Sequence, residues 1–222
     1  MLTLNGLPVL ALRMCLPLVG RWTAEIEASA DPDGLDLSAG DTALLNWDSD
    51  TVREIARGHV RTIGERSGTV RATLAGGNGG LSGVVAADHY RTAPVRTVLA
   101  ALASATGESL DFAATRAVLD TSLPFWSRAE GSGLAALASL CEAVGANWRL
   151  LPNGKLWVGT ETWPKFPDFE AEDLDSDGAS GSVLYGVEDP RLVPGVTWRD
   201  QRILAVEHSF TRDEPLRMTV WV

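Results

Sequence analysis

Three histidines are the side chains of this sequence best suited to catalysis or metal binding: His59, His89 and His208. No two of them stand at metal-ligand spacing, and no GxSxG, HExxH or SxxK motif occurs. Glu170 and Glu172 have the residue types of a glycosidase pair, but neighbouring acids in a polar loop are usually solvated. A general acid or base role for a single histidine stays open, while surface or structural roles are favoured. The sequence therefore predicts no catalytic residue, no metal site and no cofactor.

One acidic stretch has the pattern of a calcium loop. Asp173, Asp175 and Asp177, followed by a glycine, match the first half of an EF-hand. Position twelve of such a loop would be Leu184, where a bidentate glutamate belongs, and no pair of helices is predicted around it. We expect a solvated, mobile linker here, with calcium binding outside an EF-hand as the lesser alternative.

A glycine-rich segment, Gly76-Gly77-Asn78-Gly79-Gly80, has the composition of a phosphate-binding loop. It lacks the GxxxxGK[ST] pattern and the GxGxxG spacing, and no lysine is nearby. The segment is therefore predicted to be a flexible connector and not a nucleotide site.

The composition indicates an acidic globular protein. The chain has 222 residues, 45% of them hydrophobic, and a formal net charge of −10. Its arginines concentrate between Arg53 and Arg71, where acidic residues dilute them. Because binding to phosphate backbones needs clustered basic side chains, specific nucleic-acid binding is not expected. Cys15 and Cys141 lie far apart in the sequence, which predicts two free thiols and no zinc site.

The apolar run at 7–19 is the one segment with any likeness to a signal or membrane sequence. Arg13 interrupts it, no basic segment precedes it, and it is too short to span a bilayer. We expect a buried strand pair here, no membrane insertion, and synthesis in the cytoplasm.

Alternation with a period of two predicts strands in the first third of the chain. Trp22, Ala24 and Ile26, for example, alternate with polar residues. Strands are expected at 9–16, 21–28, 42–47 and 69–75, with a turn at 31–34. The segment 51–64 is ambiguous between helix and strand.

The middle of the chain has helical periodicity. Helices are predicted from Pro94 to Thr106, over a short stretch at 110–119, and from Gly133 to Val144. A hairpin at 147–159 follows, because Asn153-Gly154 is a strong signal for a tight turn.

The last third returns to strand patterns. Residues 161–182 are expected to be loop, and strands are expected around 196–198, 202–208 and 216–222. The outline is an α+β, mainly β fold with a first β-barrel region at 1–83, an α+β insert at 84–160, and a linker with a second β-barrel region at 161–222.

Eight tryptophans are an unusual feature of the composition. Exposed tryptophans serve sugar-binding modules as stacking platforms, but most of these lie in predicted strands, where a barrel core or a subunit interface is favoured. Trp163, Phe166 and Phe169 lie in a predicted loop. We therefore expect these three aromatic residues to contact another subunit.

The middle and last thirds contain several characteristic patterns of turn and packing residues. A helix after Arg91-Thr92-Ala93-Pro94 precedes a hairpin of the form G-x-x-W-R-x-x-x-N-G, which begins at Gly145. The C-terminal part has L-x-P-G from Leu192 and I-x-x-V-x-H from Ile203 to His208. Together these patterns resemble the late-control protein D family of phage baseplate hub proteins. The resemblance covers about 84–222, and this chain is shorter than most such hubs.

The resemblance implies two tail-tube-like β-barrels with a helical and hairpin insert in each chain. It implies a non-enzymatic structural subunit that forms a homotrimeric ring, with the tail tube or distal tail protein on one side and a spike or tip protein on the other. The ring would be part of a virion tail, would be made in the host cytoplasm and would pass DNA during ejection. A carbohydrate-binding module and a cell-wall hydrolase of a tail tip are the alternatives.

Overall fold

The computed structural model describes residues 1–30, 37–48, 52–111, 116–188 and 190–222. The predicted turn at 31–34 lies outside these residues. The first part of the chain forms strands almost throughout. These strands are β1 (Leu2–Leu4), β2 (Leu7–Pro17), β3 (Gly20–Arg21), β4 (Thr23–Ser29), β5 (Thr42–Asp48), β6 (Val52–Arg66) and β7 (Thr69–Gly76).

The middle part mixes short strands with helices, after a single 3-10 turn at Gly80–Ser82. Its elements are β8 (Val84–Val85), β9 (Asp88–Pro94), α1 (Val95–Thr106), β10 (Ser109–Leu110), α2 (Arg116–Leu119), β11 (Ser122–Arg128), β12 (Gly131–Ser132), α3 (Gly133–Ala143), β13 (Asn147–Leu150) and β14 (Lys155–Gly159).

The last part consists of strands again, in agreement with the prediction of a mainly β fold with helices in its middle. Its strands are β15 (Ala171–Asp177), β16 (Ser182–Val187), β17 (Thr197–Trp198), β18 (Gln201–Arg202), β19 (Ala205–Thr211) and β20 (Glu214–Trp221).

Six strands of the first part close into a barrel. They are hydrogen-bonded in the order β1-β5-β6-β7-β4-β2, and β1 also pairs with β2. The predicted alternation is confirmed in β4, where Ala24, Ile26 and Ala28 are buried in the core while Glu25 points to solvent. The barrel is therefore a packed unit filled by apolar side chains.

The strand β2 belongs to two sheets at once. One edge pairs with β4, whereas the other edge pairs with β1 at Leu7 and Pro8 and with β19 from Ala11 to Pro17. The strands β19, β20, β16 and β15 continue the sheet from there. Within the described residues β15 pairs along one edge only, so the structure contains one closed barrel and an open four-stranded extension.

The helices follow their sequence signals. The helix α1 begins after Pro94 and ends at Gly107, which adopts the left-handed conformation with a φ of 67°. Its apolar side packs against α3, whose residues Leu137 and Leu140 are buried. Of the second predicted helix the described residues show Arg116–Leu119 as helical, and 112–115 lie outside them. Among the described helices, none is long and apolar enough to cross a membrane.

The structure resolves one ambiguous secondary-structure prediction and corrects another. The ambiguous segment at 51–64 is strand from residue 52 onward, within β6, and residue 51 lies outside the described residues. The loop predicted at 161–182 was wrong for residues 171–177, because these form β15 on the open edge of the sheet. Acidic side chains have low strand propensity, so an exposed edge strand made of them is not visible from its sequence.

The position of β6 in the barrel leads to a test of the packing. A Cβ atom at Gly58 would lie 2.1 Å from the Ala75 carbonyl oxygen and 2.8 Å from the Trp22 ring, whereas Gly64 on the same strand has open space. We expect Gly58→Ala to lower the free energy of unfolding by about 1–3 kcal/mol, because overpacking forces the core to shift. Gly64→Ala is the matched control and should change stability little. Urea unfolding of both variants measures the difference, and equal stabilities would contradict this packing.

Candidate functional site

The three histidines do not come together. The side chain of His59 is buried and its Nδ1 lies 3.1 Å from the Gly77 carbonyl oxygen. His208 is fully buried in β19, with Nε2 3.2 Å from the Leu192 carbonyl oxygen. His89 is on the surface of β9, away from both. In the described parts of the chain no three His, Cys, Asp or Glu side chains are placed to share a metal ion.

The acidic stretch does not fold as a calcium loop. The Asp173 carboxylate accepts a hydrogen bond from Arg199 at 2.7 Å. The Asp177 carboxylate accepts hydrogen bonds from the Ala179 backbone N–H and the Ser180 hydroxyl, so it stabilises the turn between β15 and β16. These aspartates therefore have separate partners along an extended strand.

The glycine-rich loop is occupied by a carboxylate of the same chain. The Asn78 backbone N–H donates to Glu108 Oε2 at 2.9 Å, and the Asn78 amide donates to the Gly107 carbonyl. A Cβ atom at Gly77 would lie 2.6 Å from Glu108 Oε2, and one at Gly80 would lie 1.8 Å from the Thr106 carbonyl oxygen. The segment is thus a close-packed corner and not the flexible connector that we predicted.

Burial raises the pKa of the Glu108 carboxyl above its ordinary value, although backbone N–H groups of the loop and of Leu81 oppose this rise. Sequence reasoning missed this residue, because nothing in the sequence indicates that the loop folds back onto it.

A buried ion pair lies where the three parts of the chain meet. Arg149 on β13 donates to both carboxylate oxygens of Glu161, and the two side chains are 12% and 7% exposed. The guanidinium also donates to the Leu18 carbonyl oxygen and lies 3.9 Å from the centre of the Trp157 ring. The barrel, the hairpin and the segment after it are therefore fixed to each other by one charged group.

The L-x-P-G segment completes this junction. Gly195 has a φ of 86°, and a Cβ atom there would lie 2.7 Å from both Arg149 Nη2 and Glu161 Oε2. A pocket of about 310 Å³ opens beside the ion pair, bordered by Trp22, Trp157 and the segment around Gly195. Both carboxylate oxygens of Glu161 accept hydrogen bonds from Arg149, so the two charges that border this pocket neutralise each other within the chain.

Two of the predicted contact residues, Phe166 and Phe169, lie together beside the hairpin of β17 and β18. Phe169 stacks on Trp198 with ring centres 4.9 Å apart, and Phe166 meets Phe169 edge to face at 6.2 Å. The Arg202 guanidinium lies 5.3 Å from the Trp163 ring. Trp163, Phe166 and Phe169 are half-buried, so part of each ring packs within the chain and part is accessible.

No tryptophan forms an exposed platform. Trp22, Trp126, Trp157 and Trp198 are buried, and the remaining tryptophans are half-buried. The geometry that a sugar-stacking surface requires is therefore not present among these rings.

The broad sheet formed by β6, β7, β4, β2, β19 and β20 has one face in the core and one face without cover. The uncovered face carries small polar residues and ion pairs, such as Arg13 with Glu207 at 3.0 Å and Arg71 with Glu27 at 3.3 Å. A shallow depression of about 550 Å³ lies across it. On the same face the Cys15 thiol donates to Glu207 Oε2 at 3.1 Å, next to the ion pair of Glu207 with Arg13.

Solved structures with the same fold are phage tail proteins and a secretion-system protein. A 43 kDa tail protein of prophage MuSo2 from Shewanella oneidensis superposes with a TM-score of 0.69 at 9% identity, covering 100% of this chain and 96% of that chain. A tail protein from Neisseria meningitidis MC58 gives 0.65 at 11% identity, covering 99% and 94%.

A component of the type VI secretion system of E. coli, described as structurally similar to the T4 tail proteins gp27 and gp5, gives a TM-score of 0.58 at 10% identity, covering 99% of this chain and 75% of that chain. No family model and no curated protein sequence matches this chain. The fold expected from the sequence is therefore confirmed at the level of phage tail proteins, while the likeness to late-control protein D hubs stays a prediction.

The ion pair at the junction can be tested by removing one partner. Glu161→Ala leaves the Arg149 guanidinium buried without its counter-charge, and we expect a loss of about 3–5 kcal/mol in the free energy of unfolding. Glu142→Ala on the exposed side of α3 is the control and should change stability little. Denaturant titration with circular dichroism measures both, and a loss for Glu161→Ala no larger than for the control would show that the pair is dispensable.

The carboxylate in the glycine-rich loop predicts a pH dependence. Because the pKa of Glu108 is raised in the folded state, its contribution to stability is present below its unfolded-state pKa and is lost as the pH rises through its folded-state pKa. Glu108→Gln keeps the size and an acceptor oxygen but does not ionise. We expect the stability difference to move in favour of Glu108→Gln as the pH rises above about 4, the ordinary pKa of a glutamate. A pH-independent difference, measured by urea unfolding with Glu142→Gln as the control, would contradict this assignment.

Proposed function

We propose that this chain is a non-enzymatic structural hub subunit of a phage tail, which assembles as a ring between the tail tube and the spike or tip. The observation that carries the proposal is the match of fold over the full length, which leaves no part of the chain for a separate catalytic domain. The described residues support it further, because their charged groups are used in packing and turn formation.

The connectivity of the sheet is suited to a ring. Eight strands follow each other in antiparallel order, from β6 through β7, β4, β2, β19, β20 and β16 to β15. Because these eight strands alternate in direction, the first strand, β6, runs opposite to the last strand, β15. When a second copy is rotated about the ring axis and placed beside β15, its β6 is therefore antiparallel to β15. A cyclic arrangement of copies, joined through two different edges, therefore keeps every neighbouring pair of strands antiparallel.

We propose three copies in the ring, as the resemblance to hub proteins implies. At a spacing of about 4.8 Å per strand, three such sheets enclose a circle about 37 Å across, and strand tilt widens it. The uncovered face would line this channel. Arginines on this face form ion pairs with glutamates, so it has no continuous row of unneutralised basic side chains. Such a surface would let DNA pass through the channel without binding to it.

The proposal also assigns roles to the three regions of the chain, to the aromatic residues and to the partner proteins. The regions 1–83, 84–160 and 161–222 act as a first barrel, an insert and a second tube-like unit, and the open second sheet is completed only in the ring. The accessible parts of Trp163, Phe166 and Phe169 contribute to a contact with another subunit. Tail tube or distal tail protein and a spike or tip protein are the partners, and the protein is made in the host cytoplasm before it joins the virion tail.

The alternatives receive no specific support. A carbohydrate-binding module would need exposed aromatic platforms, and the tryptophans pack within the chain. A cell-wall hydrolase would need a nucleophile with a base, a metal site or a carboxylate pair facing a cleft. The described residues contain no metal cluster, and the Cys15 thiol beside Glu207 is a weak nucleophile because burial raises its pKa to about 11.

Gold-labelled antibody on tailed particles, viewed by electron microscopy, tests the proposed location. Label at the distal end of the tail tube is the expected result. Tails without label, together with free protein in the lysate, would refute the hub assignment. A glycan array and a cell-wall zymogram would then decide between the two alternatives.

A further inference from the structure

We infer that copies of this chain join head to tail by strand addition, with the acidic edge strand β15 of one copy pairing with the arginine-bearing edge of β6 in the next. The inference rests on the ring proposed above and assigns its interface. It follows from the positions of two incompletely paired edges and from the charges that they carry.

The first edge is β15. This strand pairs with β16 on one side, and no strand of the described residues lies on its other side. Its side chains are exposed from residue 172 to 177. Unpaired backbone N–H and C=O groups along such an edge are ready to pair with another strand.

The second edge is the outer half of β6. This strand pairs with β5 only as far as His59, whereas its pairing with β7 continues to Arg66. From Arg61 to Arg66 it therefore has a strand partner on one side only among the described residues. The two edges lie at opposite ends of the same antiparallel eight-stranded order.

The charges favour joining the two different edges and oppose joining like edges. The segment 170–177 has five acidic residues and no basic one. Two copies of β15 placed side by side would set carboxylates opposite each other, which destabilises strand pairing. The edge of β6 has Arg61 and Arg66 with Glu65 between them. An acidic edge and a partly basic edge thus select a heterologous interface and disfavour a twofold dimer.

The side chains that would meet lie on the same face of the sheet. Glu172 and Asp175 are opposite Gly186 and Leu184 of β16, on the uncovered face. Arg66 is opposite Thr69, on that same face at the other end of the sheet. Opposite charges on one face of an antiparallel pair are within contact distance of each other.

Charge reversal tests the interface with the full chain. One variant carries Glu172→Lys and Asp175→Lys, a second carries Arg61→Glu and Arg66→Glu, and a third carries all four changes. A control variant carries Glu130→Lys and Glu142→Lys. The side chains at all six of these positions are exposed. The oligomeric state is measured by analytical ultracentrifugation at low salt, and circular dichroism verifies folding.

We expect the wild-type chain and the control to form the same closed oligomer. Each two-change variant should associate about tenfold more weakly or worse, and the four-change variant should recover association. A mixture of the two two-change variants should form alternating assemblies with an even number of chains, because alternation cannot close a ring of three. Raising the salt concentration should weaken the wild-type oligomer.

Three results would overturn the inference. An oligomer that survives reversal on either edge, or a four-change variant that stays monomeric while folded, would show that other surfaces form the interface. A wild-type chain that stays monomeric at low salt would show that these edges do not suffice for association. In each case, antibody label at the tail tip would still support the proposed location, so the two proposals can fail separately.

Discussion

The pairing of β2 along both of its edges is the constraint on which the whole chain depends. One edge holds β4 and the other holds β1 and then β19, so the barrel and the second sheet have a strand in common. Leu12, Met14 and Leu16 point into the core from this strand. A shift in register by one residue would turn all three to solvent, and both sheets would lose their packing together.

The helical insert is held to this frame by polar contacts as well as by its apolar face. The strand β13 pairs in parallel with β3, and the Trp22 indole donates to the Leu151 carbonyl oxygen at 3.3 Å. The buried pair of Arg149 and Glu161 adds orientation more than stability, because desolvation offsets much of the attraction between two charges. Its role is to make one arrangement of the three segments better than the others.

Local signals in the sequence predicted the local structure and failed where contacts are distant. Alternation in β4, the turn at Asn153-Gly154 and the Gly107 cap each depend on a few neighbouring residues, and each was confirmed. Glu108 in the glycine-rich loop depends on a contact across 30 positions. The strand β15 forms because β16 offers it an edge, and its own residues favour a loop. The residues Trp163, Phe166 and Phe169 lie in a segment with loop composition, yet Phe166 packs on Phe169 and Phe169 stacks on Trp198 of β17.

An open sheet that continues directly from a closed barrel is informative about the chain. The six-stranded barrel shows that this chain can remove its edges by closure, and a free edge is a liability that proteins usually cover. The chain instead keeps β15 exposed and gives it acidic side chains, which block pairing with an identical edge. Such an edge avoids random association and still accepts a partner of opposite charge. These are the properties that the proposed ring would require of its subunit.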